Sequence, residues 1–518
     1  MPFDYRPFPY KAPPGLTAPE PRHPVVIAGA GPIGLAAAID LAQYGVPVVV
    51  LDDNNVVSVG SRAICWSKRS LEILDRLGVG TQCVDKGVTW KIGRTLHRDA
   101  EVFSFDLLPE TGHKRPAFVN LQQYHVETYL VERAQALPLI DLRFLNRVTG
   151  LSQTGDGVQV QVETPDGPYT LTTDWLIACD GARSPIRGMM GLNFEGELFE
   201  ERFLIADIEM QADMPPERRF WFEPTFHPGQ SALLHKQPDN IYRIDLQLGW
   251  DADPEAEKEP ERVRQRIARM VGHQDFRLDW VSVYTFQCRR LRRFVEGRVV
   301  FAGDSAHVVS PFGARGGNGG LQDVDALGWR LAAVLQGRAP ATALDAYDRE
   351  RQHGADENIL NSGSATRFMS PAAGVERLFR DQVLALAAHA HFARPLVNSG
   401  RLSRPCTYPG CGPDDPALPR ATRPGSVAPD APTGEGWLID ALGHRPVLLA
   451  LGQPAPDIGI PILTPALTDM LRARYLGDAP LALYLIRPDQ VIQSRWTTTD
   501  ARTLRAAVAA MWEGVPCP

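Results

Sequence analysis

The sequence predicts an α/β protein in which a doubly wound nucleotide-binding sheet is interleaved with a β-rich region and followed by a small second α/β unit. Three observations carry that prediction. A glycine-rich turn joins a short apolar strand to a helix within residues 24–44, and the next strand ends at an acid. Two later apolar strands, ending near residues 179 and 302, also stop where glycine meets aspartate. Between residues 200 and 290 the texture changes to short strands, prolines and aromatics such as Trp221, Phe222, Phe226 and Trp250.

Taken in order, residues 1–22 are rich in proline and lack an apolar leader core, which predicts an extended arm rather than a secretory signal. Residues 24–28 are a buried strand, residues 33–44 a helix and residues 46–51 a second buried strand. "GAGPIG" sits in the turn, so Gly29, Gly31 and Gly34 form G-x-G-x-x-G, with Asp52 at the end of the second strand. That spacing is the dinucleotide fingerprint. Two glycines let the backbone approach a pyrophosphate, the third lets helix and strand pack, and the acid suits a ribose with a free 2′-hydroxyl.

Val158, Val160 and Val162 alternate before a "PDG" turn, and the chain returns as a buried strand ending at Cys179-Asp180-Gly181. In "NIYRIDLQL", Tyr242, Ile244, Leu246 and Leu248 face one way. Arg243, Asp245 and Gln247 face the other, either toward solvent or as a pocket wall. Residues 297–302 form another buried strand, and "GDSAHVVSPFGARGGNGG" follows it. Helical spacing of Leu321, Val324, Leu327, Leu331 and Val334 places a helix after Gly320. The glycine stretch lacks the Lys-Ser/Thr ending of a nucleoside-triphosphate loop. Beyond residue 400 comes a Pro-rich linker, then strands at 445–451 and 481–486 and a closing helix at 501–512.

Composition narrows the function. The chain has 518 residues, enough for several domains, with 44% hydrophobic and 22% charged residues, as in ordinary soluble enzymes. A net charge of −7 argues against nucleic-acid binding. No apolar run could span a bilayer. Seven scattered cysteines fit reduced thiols, so the expected location is cytoplasmic. Cys406 and Cys411 have no second pair or nearby histidine in the sequence, and His307 stands alone in its loop, so no metal is expected.

The three glycine-acid strand ends, taken together over roughly residues 24–390, resemble the para-hydroxybenzoate hydroxylase and phenol hydroxylase family of single-component flavoprotein monooxygenases. The resemblance implies a Rossmann-like FAD-binding domain (23–190 and 286–395), interleaved with a β-sheet substrate domain (191–285). A linker (396–425) and a small thioredoxin-like C-terminal α/β domain (426–518) would follow. The last rests on "RPGSVAPDAP" and "LYLIRPDQVIQSRW" and lacks a C-x-x-C, so a structural or subunit-contact role, and with it a homodimer, is implied.

By the same resemblance, Gly29, Gly31, Gly34 and Asp52 hold the FAD pyrophosphate and ribose. "GSRAICW" assigns Arg62 to the pyrophosphate, "NLQQYHVETYL" assigns Gln123 to the flavin chain, and "CDGARSPIR" assigns Asp180, Gly181 and Arg187 to FAD and NAD(P)H. Gly303 and Asp304 of "FAGDSAH" take the ribityl chain. Pro311 faces the reaction site through its carbonyl, and Gly316, Gly317 and Asn318 approach the flavin pyrimidine edge. The chain departs from the family pattern at Ser310, usually a second proline, and at Gly317, usually larger.

The implied activity is hydroxylation of a phenol ortho or para to its hydroxyl, with O2 and NADH or NADPH as transient reductant, through a flavin hydroperoxide. Pro311, Arg243 and Asp245 are the candidate catalytic residues. Arg243 reads either as an arginine that follows flavin movement or as an ion pair with Asp245. His235, Tyr242 and Tyr284 are candidate phenol contacts or locally satisfied strand residues. The alternatives are another FAD oxidoreductase on this frame (epoxidase, oxidase or reductase) and a non-catalytic flavin-binding protein.

Overall fold

A computed structural model describes residues 3–60, 62–249, 252–311, 313–371, 374–397, 402, 404–498 and 500–514, with residues 198–201 as backbone only. Trp250 and Cys517 lie outside the described residues.

The valine-rich segments pair in parallel, as apolar strands covered on both faces should. His23–Ala28 lies between Val48–Asp52 and Gly167–Ala178; Ile140–Phe144 and Val299–Phe301 extend the two sides. Val25, Val26 and Ile27 are fully buried at its centre. The first helix is Pro32–Gln43, one residue earlier than the spacing predicts, because Pro32 occupies its first turn where the missing N–H costs nothing. Gly34 is required: a Cβ there would lie 1.9 Å from the Gly29 carbonyl.

The second helix of the site begins at Gly316 rather than after Gly320. Four glycines thus stand within its first turns despite their poor helix propensity. Contacts explain two of them. A Cβ on Gly320 would meet Ile33 at 2.6 Å, and one on Gly317 would press on Trp66 at 3.3 Å.

The second sheet runs in the order Ala100–Asp106, Ile92–His97, Arg218–Phe222, Ser231–Lys236, Ile241–Leu248, Glu195–Glu209, Arg277–Arg290, His307–Val308. It therefore draws two strands from within the 23–190 region, and Arg277–Arg290 runs past residue 285. The linear division at 191–285 misses both, because strand pairing joins residues far apart in sequence. One face of Ile241–Leu248 packs on Val263 and Ile267 of the Pro260–Val271 helix. The other face is buried too, so Arg243, Asp245 and Gln247 line the interior and not solvent.

The N-terminal arm lies on the body: Phe8 stacks on Phe144 at 4.6 Å, and Glu20 receives both terminal nitrogens of Arg143. After residue 425 comes a four-stranded sheet in the order Ile462–Leu463, Val447–Leu451, Ala482–Ile486, Ile492–Trp496, with the Ala501–Glu513 helix behind it. None of the described helices is long and apolar enough to cross a membrane.

A buried ionic cluster fastens this sheet to the first domain. Arg487 donates to Glu350 (2.7 and 3.0 Å) and to Asp489 (2.9 Å), while Arg330 donates to both oxygens of Glu350 at 2.9 Å. Arg69 reaches Asp325 and the Asp489 carbonyl, each at 2.6 Å. Removing one cation strands buried carboxylates, which costs about 3–5 kcal/mol. Arg487→Ala should therefore lower the unfolding free energy read from urea titration by about 3–5 kcal/mol.

Candidate active site

The glycine turn, the Asp180 strand end and the Gly303 loop converge at the C-terminal edge of the first sheet, where open α/β sheets bind ligands. Gly29 has φ +103°, and a Cβ there would lie 2.4 Å from the Cys179 carbonyl, so only glycine fits. Gly31 differs: nothing lies within 4 Å of its ideal Cβ. That open space sits at the N-terminus of the Pro32–Gln43 helix, whose first N–H groups have no partner within the helix.

Asp52 closes the turn. It accepts from the Ala30 N–H (2.5 Å) and the Asn54 N–H (2.8 Å). Burial pushes its carboxyl up to about 6 despite these bonds. Gln123 is spent on the protein: it accepts from the Ala63 N–H (3.1 Å) and donates to Ser58 (3.0 Å) and Glu127 (2.7 Å). It thereby shapes the segment that carries Arg62, whose side chain is exposed and within the electrostatic reach of Asp304. Asp180 caps the short Pro185–Met189 helix by accepting from Ile186 N–H at 3.0 Å; its other oxygen is buried with no hydrogen-bond partner among the described residues. Gly181 has φ +80° with open space beside it. Arg187 is engaged by the Ser305 and Ala182 carbonyls (3.1 and 2.7 Å).

Under the loop lies a network that the sequence reading missed. The Gly303 N–H donates to Asp323 at 2.8 Å, and Asp323 also accepts from His307 Nε2 (2.7 Å) and Arg351 Nε (2.6 Å). Burial alone would raise the Asp323 carboxyl, but His307 and Arg351 outweigh it and hold it below the usual range. His307 is thus structural, with its partner 16 residues onward, where no local pattern links the two. Asp304, turned the other way, opens toward the cleft with Oδ1 3.9 Å from the ideal Cβ position of Gly316. Surrounding protein raises its carboxyl, while His307 and Arg62 oppose the rise.

Three residues of the loop and helix start are engaged within the protein. The Asn318 side chain is fully used inside the protein: it accepts from Ser67 N–H (2.9 Å) and Ser70 hydroxyl (2.5 Å) and donates to the Cys65 and Ala314 carbonyls (2.8 and 2.6 Å). Only its backbone is left to border a ligand. The Pro311 carbonyl accepts from Ala314 N–H at 3.0 Å, closing a turn in which Gly313 and Ala314 both have positive φ. Where the family has a second proline, the Ser310 hydroxyl instead accepts from Thr366 at 3.0 Å.

Arg243 pairs with Asp207 on the neighbouring strand (2.8 and 3.2 Å) and donates to the Arg62 carbonyl (3.1 Å); Asp245 is not its hydrogen-bond partner. Asp207 lies directly across the ladder, closer than a residue two positions along the same strand. Asp245 keeps one oxygen buried without a hydrogen-bond partner among the described residues, and burial pushes it up to about 6 although Arg243 pulls it down. Tyr242 points into the opposite core and donates to the Ala212 carbonyl at 2.8 Å. His235 is buried beside Trp90, held well below its usual range by burial and by Arg218 and Arg243. Tyr284 is half-buried beside Trp280.

A cavity of about 140 Å³ opens where the second sheet meets the loop. Phe105, Phe220 and Phe222 supply apolar walls, Gly313 the loop side, and Arg218 and Arg315 the charge. Arg218 Nε is buried with no hydrogen-bond partner among the described residues.

The cradle fits an FAD molecule: open glycines at 31 and 181, two helix N-termini, and Asp304 turned toward the space between them. Gly31→Val fills that space without meeting protein, and Asp304→Ala removes a charged acceptor, so each should weaken FAD retention roughly tenfold or more with the fold intact. Flavin absorbance per purified chain and circular dichroism check this. Asp245→Asn tests the buried carboxyl separately. A carboxyl raised from 3.8 to about 6 makes the protein lose stability as pH rises between those values. The variant should lack that loss in urea titrations across the window.

Residues 22–362 match the family model described as "FAD binding domain". The chain is 31% identical to a 3-(3-hydroxy-phenyl)propionate/3-hydroxycinnamic acid hydroxylase of Klebsiella pneumoniae, over 69% of this chain and 64% of that protein's length. It is also 31% identical to a 12-dehydrotetracycline 5-monooxygenase/anhydrotetracycline 6-monooxygenase of Streptomyces rimosus, over 96% and 99%. The fold is that of the flavin-dependent monooxygenase PieE, solved with FAD and substrate, with a TM-score of 0.80 at 23% identity over 95% of this chain and 99% of that one. Glycine cradle, turned-out Asp304 and these matches agree: the chain belongs to the FAD-binding family of single-component flavin-dependent aromatic hydroxylases.

Proposed function

We propose that the chain is an FAD-dependent, NAD(P)H-using monooxygenase that hydroxylates a phenolic ring ortho or para to its hydroxyl. The carrying observation is the cavity that joins aromatic walls to buried guanidinium charge at the glycine loop. Bound FAD would supply electron transfer from the nicotinamide and activation of O2, incorporating one oxygen atom into the ring and releasing the other as water. Gly29, Gly31, Gly34, Asp52 and Asp304 would hold it, with Arg62 and Arg187 near its phosphates and nicotinamide partner.

The chain's own residues prepare the ring. A phenolate is a far better nucleophile than a phenol, and a desolvated cation favours the ionised form. Arg218 and Arg315 place such charge on the cavity wall, while Phe105, Phe220 and Phe222 pack the ring and exclude water that would divert oxygen to peroxide. A cavity of about 150 Å³ holds one benzene ring. The volume here therefore favours a single phenolic ring in the inner part of the site. Arg243, fixed by Asp207, and Asp245 place further buried charge two strands along the same sheet.

The FAD-loaded protein should consume NAD(P)H faster with a phenol present and yield the corresponding catechol or hydroquinone. A broad phenol panel giving neither stimulation nor oxygenated product would refute the reading. Arg218→Met should lower kcat by about 10- to 100-fold and move the acidic limb of its pH profile upward, because the bound phenol then ionises without a nearby cation. An unshifted limb would remove Arg218 from the role.

A further inference from the structure

His353 and Glu357 stand one helical turn apart on Ala343–Met369, so both project from the same face. The linker crosses that face and sets Cys406 against it. Nδ1 or Nε2 of His353, a Glu357 carboxylate oxygen and Cys406 Sγ all lie within 4.8 Å of one another. Cys406 is buried and the other two are half-buried. A second feature shows that the sulfur's position is built into the helix. Gly354 is a mid-helix glycine, and a Cβ there would lie 3.3 Å from Cys406 Sγ and 2.8 Å from an Arg351 nitrogen. Arg351 in turn donates to the Tyr408 hydroxyl at 2.7 Å, fixing the linker two residues beyond the thiol.

We propose that His353, Glu357 and Cys406 form a binding site for a divalent cation of the zinc class, distinct from the flavin cradle. Imidazole, carboxylate and thiolate are ligands this class accepts, and tetrahedral coordination sets donors roughly 3.3–3.8 Å apart. Closing by about an ångström through side-chain rotation reaches that spacing. On binding, the Cys406 S–H bond breaks, its proton leaves to solvent and the sulfur lone pair forms the metal bond, with no change of oxidation state. The half-buried side leaves a fourth position for water. The cation would cross-link the linker to the helix that carries Arg351.

The sequence offered no such site because no histidine or second cysteine pair lies near Cys406 and Cys411 along the chain. His353 and Glu357 become its neighbours through the fold.

The test uses the FAD-loaded full chain without an affinity tag, stripped by chelator and titrated with zinc and then with Co(II). One equivalent should bind, and Co(II) should give tetrahedral ligand-field bands to the red of the flavin spectrum. His353→Gln, Glu357→Gln and Cys406→Ser should each weaken zinc at least about tenfold. Flavin content monitors folding, and the two half-buried variants carry the test should Cys406→Ser fail to fold. Zinc should also slow proteolysis within residues 404–425. Absence of stoichiometric binding to the parent chain, or binding unchanged in both His353→Gln and Glu357→Gln, would overturn the proposal. Neither outcome depends on turnover with phenols.

Discussion

The carboxylate of Asp323 organises the molecule. Fully buried, it accepts from a backbone N–H and an imidazole of the 303–307 loop and from a guanidinium of the Ala343–Met369 helix. The Gly303 bond fixes the loop that turns Asp304 outward, and His307 fixes the short strand that follows. Arg351 extends the same charge network to the Gly319 carbonyl and to Tyr408 of the linker. Losing any of the three donors would leave a buried group unpaired, which costs more than any one bond contributes. The loop is therefore held from below, leaving its upper surface available for a ligand.

Much of the cradle was legible because its requirements are local. A backbone that must bend at Gly29 and leave room at Gly31 shows as G-x-G-x-x-G, and the strands around it show as valine runs. The partners of buried charges were not legible. Arg243 sits two residues from Asp245, yet its partner is Asp207, 36 residues earlier and adjacent only once the strands pair. His307 looked solitary until the next helix brought Asp323 to it. Likewise, nothing in "RRFWF" distinguishes Arg218, whose burial depends on strands at residues 92–106 and 231–236.

The glycines of residues 303–320 have divided duties. Gly303 adopts φ +65° against Ile33, and Gly313 turns the loop. Gly317 and Gly320 let a helix approach Trp66 and Ile33 more closely than a Cβ allows. Gly316 alone among the helical ones looks onto Asp304. A glycine-rich stretch beside an aspartate thus marks tight protein packing as much as ligand proximity, and the packing places the helix N-terminus where a ligand can use it.

The pairing of Ile92–His97 with Arg218–Phe222 has a consequence for how the chain reaches this state. Gly93 meets Arg218, and His23 meets Thr173, so each sheet is closed by residues more than a hundred positions apart. Chains with such long-range pairings form them late, because large loops must close before the contacts offset the lost entropy. Neither sheet can be completed from a continuous fragment, and during synthesis the first nucleotide-binding turn emerges long before Asp304 exists to face it. Assembly of the cradle therefore waits for the chain through Asp304, well after its first glycine turn has been made.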